Sequence, residues 1–239
     1  MSRLNEWYVP RWGNEKVRAL IGMTFWPYSL MCVSFTIMGS MLAPVIYWDR
    51  VLVIAVIYAL ALGISAHALD ARYSKTVKPW GQILSDRQLE ALIFYPLVPV
   101  LGLGSYIMQY SPLILIIGLA EFFFLFTYNM ESFSGKFHTD AWFAFSWGTL
   151  PLLAGSIAQT NWLPITAVPF GVVAFLLSYV EINASRPYKE IRRNGYTISV
   201  TNPVSSEFAR FGAKYENILK GVVALTLMIT LSLLVTRLL

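Results

Sequence analysis

The two histidines of this chain each lie close to an aspartate. His67 precedes Asp70 by three positions, and His138 precedes Asp140 by two. Residues three apart on a helix share a face, so His67 and Asp70 could contact one ligand or one metal ion. A helix-end pair that is only solvated explains the same spacing equally well.

Basic residues follow these carboxylates along the chain. Arg72 and Lys78 come after Asp70, and Arg186 and Lys189 follow a later apolar run. A basic rim around a few carboxylates suits a phosphorylated ligand, with Mg²⁺ bridging carboxylate and phosphate oxygens. Basic residues between membrane spans also arise from the positive-inside rule alone, so both interpretations stay open.

Two glutamates lie within or at the end of apolar runs. Glu121 is flanked on both sides by apolar residues, so we expect it to face protein or a polar cavity and to have a partner. It serves either packing or function, and an ion- or proton-coupled transporter is one interpretation. Glu181 ends an apolar run and leads into the basic segment that follows it.

The composition excludes a soluble monomer. Of 239 residues, 56% are hydrophobic and only 13% are charged, about half the charge of an average soluble domain. Disordered, collagen-like and coiled-coil chains are excluded on the same grounds. The single cysteine, Cys32, excludes an intrachain disulfide framework.

The apolar runs predict an all-α, polytopic transmembrane helix bundle that forms a single domain over residues 1–239. A membrane-spanning helix needs about 20 mostly apolar residues. Charged residues and proline turns separate about seven such runs, which are 21–47, 51–69, 91–110, 112–128, 141–160, 162–181 and 217–236.

The distribution of Lys and Arg predicts the orientation. Of the 18 basic residues, 15 fall in an N-terminal segment, 1–18, and in three longer loops, 70–90, 129–140 and 182–216. These segments are therefore predicted to be cytoplasmic, with the C-terminus outside. We therefore expect an integral membrane protein that is located in the plasma membrane of a prokaryote. The net charge of +5 then reflects contact with the lipid bilayer rather than with nucleic acid.

The segment 61–92 resembles the first signature of the UbiA superfamily of intramembrane prenyltransferases. In that family an apolar helix ends in an N-D-x-x-D-x-x-x-D motif, and a basic loop then leads to Lys-Pro and x-x-x-I-x-S. Alignment on Lys78-Pro79 places Asp70 on the central aspartate. His67 and Ser74 then occupy positions where the family has aspartate, and Ile83-Leu84-Ser85 keeps the later pattern.

The resemblance extends over about residues 15–200. A Gly-x-x-P-x-x-x-G core like that of the family is present at Gly148, Pro151 and Gly155, and residues 181–193 fall at the second Asp-rich motif. The acids in that stretch are Glu181 and Glu190. The family usually has nine helices, against about seven predicted here.

This resemblance implies a UbiA-like prenyltransferase that transfers a prenyl group from an isoprenoid diphosphate to a lipophilic or aromatic acceptor with Mg²⁺. It implies three sets of site residues. Asp70, His67 and Glu181 would be catalytic, with Asp70 and Glu181 holding the metal. The substrate-binding residues would be Arg72, Lys78, Arg186 and Lys189 on the phosphate side, and Glu131, His138 and Asp140 on the acceptor side.

The depleted carboxylates support an alternative. A non-catalytic member of the same fold would bind an isoprenoid, quinone or carotenoid-like lipid, or act as a partner subunit. Metal-independent affinity for an uncharged isoprenoid would separate this alternative from the transferase.

Overall fold

The computed structural model describes residues 3–74, 80, 83–198 and 205–239, with backbone alone at 193–198 and 205–209. Every regular element in these ranges is helical. The α-helices are α1 (Glu15–Met23), α2 (Trp26–Met41), α3 (Trp48–Leu60), α4 (His67–Tyr73), α5 (Asp86–Met108), α6 (Ile114–Asn129), α7 (Asp140–Ala144), α8 (Leu150–Thr160), α9 (Ala167–Ile198) and α10 (Ser205–Leu238). Two π-helical segments, Ala61–Ala66 and Phe145–Thr149, join α3 to α4 and α7 to α8.

Within the described ranges, six helical stretches are long and apolar enough to cross a membrane, which is compatible with an integral membrane protein. They are Glu15–Met41, Trp48–Tyr73, Asp86–Met108, Asp140–Thr160, Ala167–Arg192 and Arg210–Leu238. The fourth predicted run, 112–128, corresponds to α6, which has 16 residues. At 1.5 Å per residue, α6 measures about 24 Å and is shorter than the ~30 Å hydrocarbon core.

Several predicted boundaries differ from the observed ones. Most of the predicted loop 182–216 is helical, because α9 continues to Ile198 and α10 begins at Ser205. The predicted loop 70–90 is likewise helical up to Tyr73 and from Asp86. The first run, 21–47, is broken at Thr24 and Phe25 and its helix ends at Met41. The predicted helices end at the first charged residues, whereas α9 continues past Glu181 and Arg186 without a break.

Local signals explain several helix starts. Ser85 is the N-cap of α5, and its hydroxyl and the Gln88 side chain form a capping box. Thr139 caps α7 by accepting a hydrogen bond from the Trp142 backbone N–H. The serine of the x-x-x-I-x-S pattern thus has a structural role at the start of a helix.

The closest helix contact joins α2 to α8. A Cβ on Gly39 would overlap the backbone carbonyl of Leu152, and a Cβ on Gly155 would overlap that of Thr36. The Ser40 hydroxyl donates to the Gly155 carbonyl oxygen at 3.2 Å. Small residues let membrane helices approach until their backbones touch, and these two glycines do so reciprocally.

Two arginines bond to backbone at the end of the bundle formed by the 42–47, 109–113 and 161–166 connections. Arg50 donates to the carbonyls of Ala158 and Gln159, at 3.3 and 3.2 Å. Arg237 donates to the carbonyls of Met41 and Ala43, each at 2.9 Å. The last carbonyl groups of a helix have no hydrogen-bond partner within the helix, and these two arginines supply one at the ends of α8 and α2. They are the two basic residues that the sequence places outside.

We expect Gly155→Ala to lower the free energy of unfolding by about 1–3 kcal/mol, since the new methyl group forces α2 and α8 apart. Gly221→Ala on α10 is the matched control, because a Cβ there meets nothing within 4 Å. Alanine favours a helix over glycine, so this control should leave stability unchanged or raised. Thermal unfolding in detergent, followed by circular dichroism, measures both. Equal stability of the two variants would contradict the close contact.

Candidate functional site

A cavity of about 190 Å³ opens at the other end of the bundle, beside the N-terminal segment. We call it the polar cavity. Side chains from α4, α6, α9, the 130–139 connection and the N-terminal segment line it. Its charged and imidazole side chains are Arg3, His67, Asp70, Glu131, His138, Glu181, Arg186 and Lys189.

The cavity brings together most of the residues that the sequence singles out. Of the ten predicted site residues, seven line it, from three separate parts of the chain: α4, the 130–139 connection and α9. His67 and Asp70 do share a face of α4, and both line the cavity. Arg72 and Asp140 are not among the lining residues, and Lys78 lies outside the described residues.

Arg72, expected on the phosphate side, pairs instead with the start of α5. Its guanidinium lies 3.5 Å from the Asp86 carboxylate and 3.4 Å from that of Glu90. On α4 it follows Asp70 by only two positions, which turns it away from the face that lines the cavity. Its observed contacts are those of a residue that joins α4 to α5.

Asp140, expected on the acceptor side, holds Arg186. The Arg186 Nε lies 2.8 Å from Asp140 Oδ1, an ion pair whose geometry is not that of an aligned hydrogen bond. Arg186 lines the cavity and is 44% exposed. The aspartate therefore positions a cation at the cavity rather than lining it.

The ring of Phe25 contacts two of the three basic side chains of the polar cavity, together with His67. The Arg3 guanidinium and the Lys189 ammonium lie 5.1 and 5.4 Å from the centre of its ring, and His67 stacks on it at 4.5 Å. Phe25 has a left-handed backbone (φ 44°) at the break between α1 and α2. That conformation is strained for an aromatic residue and is found mainly where the surrounding structure imposes it.

Lys189 is a half-buried cation without an ion pair in the described ranges. No carboxylate in those ranges lies within 4.0 Å of its ammonium group. Glu181 and Ser185 precede it on α9 at intervals of four residues, which places all three on one helix face. A cation held by an aromatic ring and lacking a close carboxylate retains its capacity to bind an anion.

Two buried polar atoms around the cavity have no hydrogen-bond partner within the described part of the chain. They are Nε2 of His67 and Oγ of Ser185. His67 is enclosed by the rings of Phe25 and of Trp147, the latter at 5.1 Å. Buried polar atoms are normally hydrogen-bonded, so unpaired ones beside a cavity indicate a place for water or a ligand.

His138 has a defined tautomer. Its Nδ1 lies 2.9 Å from the carbonyl oxygen of Tyr128, and the two rings stack at 4.4 Å. A carbonyl oxygen only accepts, so Nδ1 must carry a proton and donate it. In the neutral ring Nε2 is then an acceptor, which suits a group that takes a proton from a ligand in the cavity.

Both π-helical segments lie next to the cavity. Ala61–Ala66 ends immediately before His67, and Phe145–Thr149 contains Trp147. One extra residue per turn rotates the side chains that follow, and such segments occur often at functional sites. The side chains of His67 and Trp147, one after and one within a π-helical segment, lie against each other in the structure.

Carboxylates are the side chains of the polar cavity that could ligate a magnesium ion. No group of three or more His, Cys, Asp or Glu side chains within the described ranges is close enough to hold a metal. Mg²⁺ commonly binds through one or two carboxylates and completes its shell with water and substrate phosphate. Asp70 and Glu181 line the cavity and are the two carboxylates that the resemblance implies as ligands of such an ion.

Several residues of the site carry no signal in the sequence that marks them as functional. Arg3 belongs to an N-terminal segment that folds back over the bundle, where the Arg18 guanidinium donates to the carbonyl of Leu4 at 2.8 Å. Phe25 and Trp147 are two among many aromatic residues in apolar runs. The Asn14 side chain accepts a hydrogen bond from the Val17 backbone N–H and marks the start of α1.

If Arg3, Arg186 and Lys189 bind one anion in the polar cavity, Arg3→Ala will weaken the binding of inorganic pyrophosphate about tenfold. Loss of one charge-assisted hydrogen bond costs about 1.5 kcal/mol or more. Arg11→Ala is the control, since Arg11 belongs to the same segment but is exposed. Calorimetric titration of both variants in lipid nanodiscs measures the effect. Equal affinity of the two variants for pyrophosphate would contradict a role of Arg3 in binding.

No protein-family model, curated protein or solved structure matches this chain. Inference about its function therefore rests on the polar cavity and on the sequence motifs. The grouping of three basic side chains with two histidines and three carboxylates at one end of an apolar helix bundle is the feature that any function has to explain.

Proposed function

We propose that this protein is a UbiA-like membrane prenyltransferase. It binds an isoprenoid diphosphate in the polar cavity and transfers the prenyl group to a lipophilic or aromatic acceptor with Mg²⁺. The observation that carries the proposal is the position of Lys189, a half-buried cation on an aromatic ring with no close carboxylate in the described ranges. A diphosphate is the kind of ligand that such a group binds.

The residues of the cavity divide between the two halves of the reaction. Lys189, Arg3 and Arg186 would stabilise the negative charge that grows on the diphosphate as the allylic C–O bond breaks and its electron pair leaves with oxygen. The rings of Phe143 and Trp147, stacked at 5.1 Å, line the same cavity and would face the cationic carbon.

The acceptor half would use the 130–139 connection. The new bond forms between the prenyl carbon and the acceptor, which must lose a proton. Nε2 of His138 would receive this proton, since Nδ1 already donates to a carbonyl. Glu131 lines the cavity beside it. Asp70 and Glu181 would hold Mg²⁺, which neutralises charge on the diphosphate when it is bound.

The expected sidedness belongs to the same proposal. The cavity would open to the cytoplasm, with the N-terminus inside and the C-terminus outside, in the plasma membrane of a prokaryote. Arg50 and Arg237 support this orientation because backbone carbonyls bind both guanidinium groups at the opposite end. In this proposal the six long apolar stretches and the shorter α6 all cross the membrane, which makes seven spans.

Binding of geranylgeranyl diphosphate with Mg²⁺ should weaken about 10- to 100-fold in Lys189→Met, because a charge-assisted contact contributes about 1.5–3 kcal/mol. Lys220→Met is the matched control. Lys220 lies at the same end of the bundle but pairs with Glu216 at 2.7 Å. Asp70→Asn should remove the dependence of affinity on Mg²⁺. No binding by the wild type, or unchanged Mg²⁺ dependence in Asp70→Asn, would overturn the proposal.

A second candidate function is a non-catalytic protein of the same kind that binds an uncharged isoprenoid, quinone or carotenoid-like lipid. The absence of a preformed metal-ligand group within the described ranges favours it. For this function we expect equal affinity for a C20 isoprenoid alcohol with and without EDTA, and no release of pyrophosphate from the diphosphate when an aromatic acceptor is added. Pyrophosphate release that depends on Asp70 would exclude it.

A further inference from the structure

A second cavity lies between α3, α5 and α6, and it shares no lining residue with the polar cavity. We call it the apolar groove. Its volume is about 380 Å³, within the range of roughly 300–1,000 Å³ typical of small-molecule sites. The walls include Leu101 and Leu119, which are 59% and 64% exposed, so the groove opens toward lipid.

One polar pair lies inside this apolar surface. The Tyr58 hydroxyl donates to Oε1 of Glu121 at 2.8 Å, and both residues line the groove. Tyr58 is the one hydrogen-bond partner that Glu121 has among the described residues, so Oε2 receives no hydrogen bond from them. Ser105 also lines the groove, but its hydroxyl donates to the carbonyl of Leu101 in its own helix.

The groove is open because two glycines face it. Gly104 on α5 and Gly118 on α6 are lining residues, and a Cβ at either meets nothing within 4 Å. Any larger side chain at these positions would fill part of the space without clashing with protein. The floor consists of well-buried side chains, including Ile54 and Leu62.

The chemistry of the lining limits the occupant. Among the described residues no Lys, Arg or His lines the groove, so a phosphate or other anion would meet a glutamate and no cation there. A metal cation needs about six oxygen ligands, and one carboxylate with one phenol does not supply them. A hydrocarbon chain alone fills the groove but leaves one oxygen of the Glu121 carboxyl group without a hydrogen-bond partner among the described residues, which is costly in an apolar medium.

We propose that the apolar groove binds a lipid alcohol, with the hydrocarbon chain lying between α5 and α6 and the hydroxyl group donating to Oε2 of Glu121. Such a ligand satisfies the carboxylate and covers the open walls at once. This site is separate from the polar cavity and does not rest on the proposed function.

The proposal is tested with two probes that differ in one hydrogen-bond donor. A C16 alcohol with a diazirine in its chain, and the methyl ether of the same alcohol, are photo-crosslinked to the protein in phosphatidylcholine nanodiscs. We expect the alcohol to label α5 and α6 of the wild type about tenfold more than the ether, the ratio that one net hydrogen bond of about 1.4 kcal/mol gives. Equal labelling by both would mean that ordinary lipid chains occupy the groove, and would overturn the proposal.

Two variants test separately the binding of the hydroxyl group by Glu121 and the binding of the hydrocarbon chain in the groove. Glu121→Leu should remove the preference for the alcohol while the ether still labels. Gly104→Leu should suppress labelling by both probes, and Gly102→Leu is its matched control. Gly102 is exposed on the same helix, and a Cβ there also meets nothing within 4 Å. Equal labelling in the two glycine variants, or a retained preference in Glu121→Leu, would overturn the proposal, and thermal unfolding verifies that each variant folds.

Discussion

The backbone contact between α2 and α8 is the constraint on which the rest of the bundle depends. Gly39 and Gly155 allow these two helices to touch, and the same pair of helices continues toward the polar cavity. There the thiol of Cys32 on α2 donates to the carbonyl of Trp147 at 3.3 Å. The contact therefore fixes the relative positions of Phe25, just before α2, and of Trp147, just before α8, which enclose His67 between them.

The bundle separates its polar groups into two environments. At one end, Phe25 holds Arg3 and Lys189 over its ring, and a cavity with acids and imidazoles surrounds them. In the apolar groove, Glu121 has only Tyr58 as a hydrogen-bond partner among the described residues. Charged groups are costly among hydrocarbon, so each such position calls for a partner from protein, water or ligand. The ligands that we propose for the two cavities differ accordingly, an anion in one and a neutral alcohol in the other.

Much of the architecture could be predicted from the sequence, because apolar runs and turns are local signals. The all-helical class follows from them, and the spacing of His67 and Asp70 placed both on one face of α4. What the sequence could not provide was contact between distant segments. Arg72 was indistinguishable from a ligand-binding arginine until α5 was seen beside it, and the approach of Arg3 depends on how the N-terminal segment folds back.

The most direct measurement is a crystal structure with a non-hydrolysable geranylgeranyl thiolodiphosphate and Mn²⁺, whose anomalous signal locates the metal. We predict a diphosphate in the polar cavity in contact with Lys189 and Arg3, and a metal ion bound to Asp70 between that carboxylate and the phosphates. A diphosphate bound outside this cavity, or a cavity filled by an uncharged isoprenoid without metal, would contradict the account.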